Sequence, residues 1–174
     1  MKFLQDFVMM ESSGLGLMFL CFLTVVLCYI WEETIVRVFF RDLLVYRLSL
    51  HDGCGRCLIA LTISPFCEEI IFRATPFFTT LYSDSFTVVI GVSTLSSIVF
   101  GLCHGGAKHI LIEGPMGFLL SLLFFRVVGY RAAIDNDVSG GTFLSALVVV
   151  MLTHSAYNTL WILSNSVQRN KSYS

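Results

Sequence analysis

Charge is scarce in this chain. Of its 174 residues 13% are Asp, Glu, Lys or Arg and 56% are hydrophobic, whereas an average soluble domain carries about 25% charged residues. Too little polar surface remains to cover a water-soluble globule, which excludes an ordinary cytosolic enzyme and a disordered chain. Neither sign of charge is in excess, with 11 Lys and Arg against 12 Asp and Glu. No basic surplus is available to neutralise phosphates, so nucleic acid is excluded as a partner. Internal repeats and low-complexity tracts are also missing. The solvent implied by what remains is a lipid bilayer.

A disulfide framework is missing too. Cys21, Cys28, Cys67 and Cys103 lie inside apolar runs, where a free thiol behaves as a small hydrophobe. Cys54 and Cys57 have CxxC spacing with His51 just upstream, but a zinc knuckle needs a fourth ligand and usually a second pair. The spacing reads as incidental.

Apolar stretches dominate the rest. A spanning helix needs about 20 mostly apolar residues, and candidates run over 14–31, 57–82, 86–104, 109–129 and 142–163. The first ends in Trp31-Glu32-Glu33 rather than at a small-residue cleavage site, which marks a retained anchor. Glu33, Arg37, Arg41 and Arg47 share a broad face of the 32–56 stretch, as in a basic amphipathic helix lying among headgroups; a short sixth span is the alternative. The expected fold is all-α: a polytopic transmembrane helix bundle of five to six spans, with broken helices around a central polar cavity. It divides into an N-terminal anchor and basic segment (1–56), a core (57–163) and a polar, frayed tail (164–174). With five spans Arg37, Arg41, Arg47, Arg56, Lys108, Arg169 and Lys171 collect on one side, and Lys2, Arg126 and Arg131 on the other. The richer side is expected to be cytosolic.

Against this background three polar clusters stand out. Charge at mid-membrane depth costs about 2.5–3.5 kcal/mol on insertion scales and marks function by default. The 57–82 stretch holds Glu68, Glu69 and Arg73, the 86–104 stretch ends in His104, and the 142–163 stretch holds His154 and Asn158. Residues four apart share a helix face, so Glu69 can pair with Arg73 while Glu68, with Phe72 four residues on, has no local cation. Glu68 is therefore the candidate for proton transfer, and Glu69 with Arg73 the candidate support; a single buried ionic knot is the alternative. His154 and Asn158, also four apart, can present two donors to one point, as an oxyanion hole does, or can bond one helix to another. Pro65 and Pro76 bracket the glutamates and can bend that helix to open a polar pocket.

In this order, Glu68-Glu69-xxx-Arg73, Phe100-xxx-His104 and His154-xxx-Asn158 resemble the EExxxR, FxxxH and HxxxN motifs of the CAAX protease and bacteriocin-processing family of intramembrane glutamyl proteases. The stretch Phe100-Gly101-Leu102-Cys103-His104, followed by Lys108-His109-Ile110 and Glu113, is most similar to the type II CAAX prenyl endopeptidases, the Ras-converting type. That resemblance implies removal of the last three residues from prenylated, small-GTPase-like CAAX proteins at the cytosolic face of the endoplasmic reticulum. It also implies Glu68 and His104 activating water, His154 and Asn158 steadying the oxyanion, Glu69 and Arg73 in support, and no metal or other cofactor. Members of the family usually carry more spans than the five or six offered here.

Other intramembrane proteases fit less well. HExxH is absent, a presenilin-like pair would need aspartates inside spans, and Gly91-Val92-Ser93-Thr94 with His154 in a rhomboid-like reading leaves both glutamates unexplained. Two alternatives stay open: a non-proteolytic scaffold or immunity-type protein of the same fold, and a zinc-dependent protease using His104, His154 and a carboxylate.

Overall fold

The computed structural model describes residues 2–9, 13–40, 63–135 and 137–172, and all regular structure among them is helical. A short helix α1 (Lys2–Met9) precedes α2 (Gly14–Phe39), which Ser13 starts by accepting a hydrogen bond from Gly16 N at 3.2 Å. The buried positions of α2 are Cys28, Glu32 and Val36, a stripe at four-residue spacing. Leu15, Met18, Phe19 and Phe22 point outward, as a lipid-facing surface requires. This helix does not stop at Trp31. It runs on through the ion pair of Glu33 with Arg37 at 2.7 Å, so the amphipathic segment expected from residue 32 is, as far as Phe39, the end of the anchor helix. Positions 41–56 of that segment, with Arg41, Arg47, His51, Cys54 and Arg56, lie outside the described residues, as does Cys57.

Helix α3 (Ser64–Thr79) carries both glutamates. Pro65 sits in its first turn, where a missing N–H costs nothing, and Pro76 lies inside it. Backbone turns over 80–83 then lead to α4 (Phe86–Cys103). Gly105 and Gly106, at φ 138° and 100°, reverse the chain in a conformation that L side chains rarely adopt. Helix α5 (Ala107–Ile112) thereby folds back on α4 so closely that a Cβ on Gly101 would stand 2.6 Å from the His109 carbonyl oxygen.

The stretch expected as one span over 109–129 is broken at Glu113, and α6 (Gly114–Val128) starts afresh. Pro115 is the cause: it has no N–H to give the Leu111 carbonyl, and its ring opposes continuation of the helix. That carbonyl accepts instead from the Trp31 indole Nε1–H at 2.7 Å. A proline-made break in one helix is thus closed by a side chain from another.

Helix α6 is the hub. Leu120, Leu122, Leu123, Phe124 and Phe125 are all buried, and α2, α3, α4 and α8 (Gly140–Ser172) pack around it. Phe77 of α3, Phe124 and Phe143 of α8 form an aromatic cluster with ring centroids 4.8–6.1 Å apart. Gly117 admits Phe100, whose ring carbon would lie 3.0 Å from a Cβ there. Helix α7 (Tyr130–Ile134) leads out of the hub, and α1 is pinned to it by Arg126, which donates to the Phe7 carbonyl and stacks 4.8 Å from the Phe7 ring. The four thiols of Cys21, Cys28, Cys67 and Cys103 are free.

Among the described residues three helices are long and apolar enough to cross a membrane: Gly14–Phe39, Phe86–Cys103 and Gly140–Ser164. The 15 residues of α6 and the 16 described residues of α3 fall short of the usual crossing length. The protein is an all-α polytopic bundle in which short, proline-started helices are packed between longer ones. The backbone of α8 stays helical to Ser172, through the polar stretch whose composition suggests a frayed end.

Candidate active site

Three helices bring their polar residues to one place. Glu68 Oε2 lies 3.7 Å from His104 Nε2 and 3.8 Å from His154 Nε2, so residues from α3, α4 and α8 converge on a single oxygen. Both separations exceed a direct hydrogen bond and suit an oxygen atom, from water or substrate, held between the groups. That oxygen of Glu68 is buried and has no hydrogen-bond partner among the described residues. A buried acceptor left unpaired costs stability, and active sites are where such costs are kept.

The two imidazoles are held differently. The Nδ1–H of His104 donates to the Phe100 carbonyl, 2.8 Å away and one turn back. A carbonyl only accepts, so in the neutral ring Nε2 carries the lone pair and can take a proton from water. His154 Nδ1 stands 2.8 Å from Glu69 Oε1. A carboxylate also only accepts, so Nδ1 again holds the proton, and Nε2 can donate only when the ring is an imidazolium. Phe100 packs against both rings, at 4.4 Å from His104 and 5.9 Å from His154 between centroids. The motif phenylalanine thus fixes one histidine through its carbonyl and contacts both through its ring.

Behind His154 stands a buried ionic chain. Arg73 Nε donates to Glu69 Oε2 at 2.6 Å, and the same guanidinium donates to the Gly117 carbonyl at 2.5 Å and to Ser121 Oγ. Glu69, Arg73 and His154 are 1%, 0% and 2% exposed, while Glu68 and His104 are 20% and 26% exposed. The open side of the cluster is therefore that of Glu68 and His104, with His154 at the back. Asn158 is half-buried one turn further along α8.

The adjacent glutamates separate as their spacing requires: Glu69 faces Arg73, and Glu68 faces the histidines. Sequence reasoning missed Ser64, whose hydroxyl donates to Glu68 Oε1 from one turn earlier in α3; the four-residue spacing is the signal that could have found it. It also missed Ser121 and Gly117, which hold Arg73 from more than 40 positions away and leave no local trace. Among the described residues no group of three or more His, Cys, Asp or Glu is arranged to hold a metal ion.

A family model described as Type II CAAX prenyl endopeptidase Rce1-like matches residues 52–160, which takes in all six polar motif residues. A Bacillus subtilis (strain 168) protein named "Putative membrane peptidase YdiL" is 31% identical over 111 residues, 64% of this chain and 43% of the relative. The chain thus matches less than half the length of that relative. No solved structure matches it significantly.

Proposed function

The chain belongs to the Type II CAAX prenyl endopeptidase Rce1-like family, and on that premise we propose that it is an intramembrane endopeptidase that removes the C-terminal tripeptide from prenylated CAAX proteins. The observation that carries the reading is the meeting of one unpaired carboxylate oxygen with two imidazole nitrogens from separate helices, at 3.7 and 3.8 Å. A scaffold has no use for that arrangement.

The chemistry follows from which atoms can give and take protons. Water between Glu68 Oε2 and His104 Nε2 loses a proton to the carboxylate as its oxygen attacks the scissile carbonyl carbon. Negative charge builds on the former carbonyl oxygen, where the His154 Nε2–H and the Asn158 amide donate to it. Glu68 passes its proton to the departing nitrogen, the C–N bond breaks, and the tripeptide leaves with a new amine. The prenyl chain of the substrate stays in the lipid against the apolar surface of α3, where Phe66, Ile70 and Ile71 are exposed. Lys and Arg distribution supports a cytosolic opening of the site, and the substrate class suits the endoplasmic reticulum.

The test is a cleavage assay of the full chain in detergent or vesicles, with a prenylated CAAX peptide beside its unprenylated twin. The expected result is release of a tripeptide from the prenylated peptide alone, unchanged by metal chelators. Loss of activity on chelation, restored by zinc, would replace the glutamate mechanism with a metal one, and no release from either peptide would remove the peptidase reading.

A further inference from the structure

Glu68 has two oxygens, and they are treated differently. Oε2 faces the histidines, whereas Oε1 accepts the hydroxyl hydrogen of Ser64, four residues earlier on the same helix. Ser64 opens α3, where a serine commonly caps a backbone N–H. No side-chain cap is made at this helix start, and Pro65 in the first turn removes one N–H that would want one. The hydroxyl therefore points forward to the carboxylate rather than back to the chain.

Resting on the reading of Glu68 as proton acceptor, we propose that Ser64 is a positioning residue that occupies Glu68 Oε1 and so commits Oε2 to the attacking water. A carboxylate on a two-carbon stem is free to rotate about its last torsion, which has a broad, two-fold preference. Either oxygen could then face the histidines, and the lone pair needed for proton transfer would be aimed only part of the time. A hydroxyl fixed to a helix backbone removes that freedom. It donates one hydrogen bond and asks for none of the protons that the reaction moves. Glu69 is pinned at both of its oxygens, by His154 Nδ1 and Arg73 Nε, which holds a carboxylate still but leaves it nothing to do. Glu68 is pinned at one oxygen, which keeps the other at work.

Two measurements on the full chain decide the matter. In the cleavage assay, Ser64→Ala is expected to lower kcat about tenfold, in line with one hydrogen bond to a charged group, with KM unchanged; Ser64→Thr keeps the hydroxyl and is expected to restore the rate. Combined with Glu68→Gln, Ser64→Ala is expected to add no further loss. Infrared spectra of protein labelled with 13C-glutamate, with Glu68→Gln subtracted, isolate the Glu68 carboxylate band whether or not the protein turns over. That band is expected to shift in Ser64→Ala and to return in Ser64→Thr. An unmoved band, or a Ser64→Ala enzyme with wild-type kcat, overturns the role of Ser64. A wild type that cleaves nothing while the band shifts as expected overturns the proposed activity and leaves Ser64 as the residue that orients Glu68.

Discussion

Glu68 and Glu69 are neighbours in sequence with opposite surroundings, and substitution should separate them. Glu69→Gln leaves the buried Arg73 guanidinium without its counter-charge, and breaking a buried ion pair costs about 3–5 kcal/mol. Thermal unfolding in detergent is expected to show a marked fall in midpoint for Glu69→Gln and little change for Glu68→Gln, since Glu68 makes no salt bridge to a Lys or Arg among the described residues. On the proposed mechanism Asn158→Ala removes one donor from the developing oxyanion; kcat is expected to fall about 10²–10³-fold with KM nearly constant in steady-state kinetics. The division between the glutamates was legible from spacing alone, because Arg73 follows Glu69 by one helical turn while Phe72 follows Glu68. What held Arg73 from the other side was not legible. Ser121 and the Gly117 carbonyl belong to a helix brought in by tertiary packing, and a small residue in an apolar run looks the same whether it faces lipid or a guanidinium.

At the level of elements, the apolar stretches gave their helices well and their ends poorly. Hydropathy cannot tell a helix that ends from one that runs on with a salt bridge on its surface, which is why α2 continues through Glu33 and Arg37 to Phe39. The break at Glu113 had a visible cause in Pro115, but the apolar runs on either side hid it. Two close contacts around that break carry consequences. Trp31→Phe leaves the Leu111 carbonyl without the donor that replaces the missing Pro115 N–H. It should cost about 1–3 kcal/mol, read as a lower unfolding midpoint than wild type. Gly101→Ala places a methyl group 2.6 Å from the His109 carbonyl, so α5 must move away from α4 three residues before His104. Both stability and turnover are expected to drop in Gly101→Ala, whereas Gly91→Ala, which meets nothing within 4 Å, should leave both near wild type in the same assays.

Over the whole molecule the arrangement is a buried hub helix, α6, with the reacting groups carried by the helices around it. The ionic chain from Gly117 and Ser121 through Arg73 and Glu69 to His154 ties the site to that hub, so the position of His154 is set by the same packing that holds the bundle together. On the proposed orientation, read from the Lys and Arg distribution, the turn after α4 faces the cytosol and the turn after α3 the opposite side. A cysteine placed at Lys108 is expected to react with an impermeant maleimide added from the cytosolic side, and one at Ser83 only from the other. The most direct test of the whole remains at a single oxygen. Cleavage of a prenylated CAAX peptide by Glu68→Gln, beside wild type in the same membranes and at matched folded amounts, should fall by about 10²–10⁴-fold, the range of a lost general base; turnover by Glu68→Gln at the wild-type rate would contradict the role of Glu68 and with it the hydrolytic site.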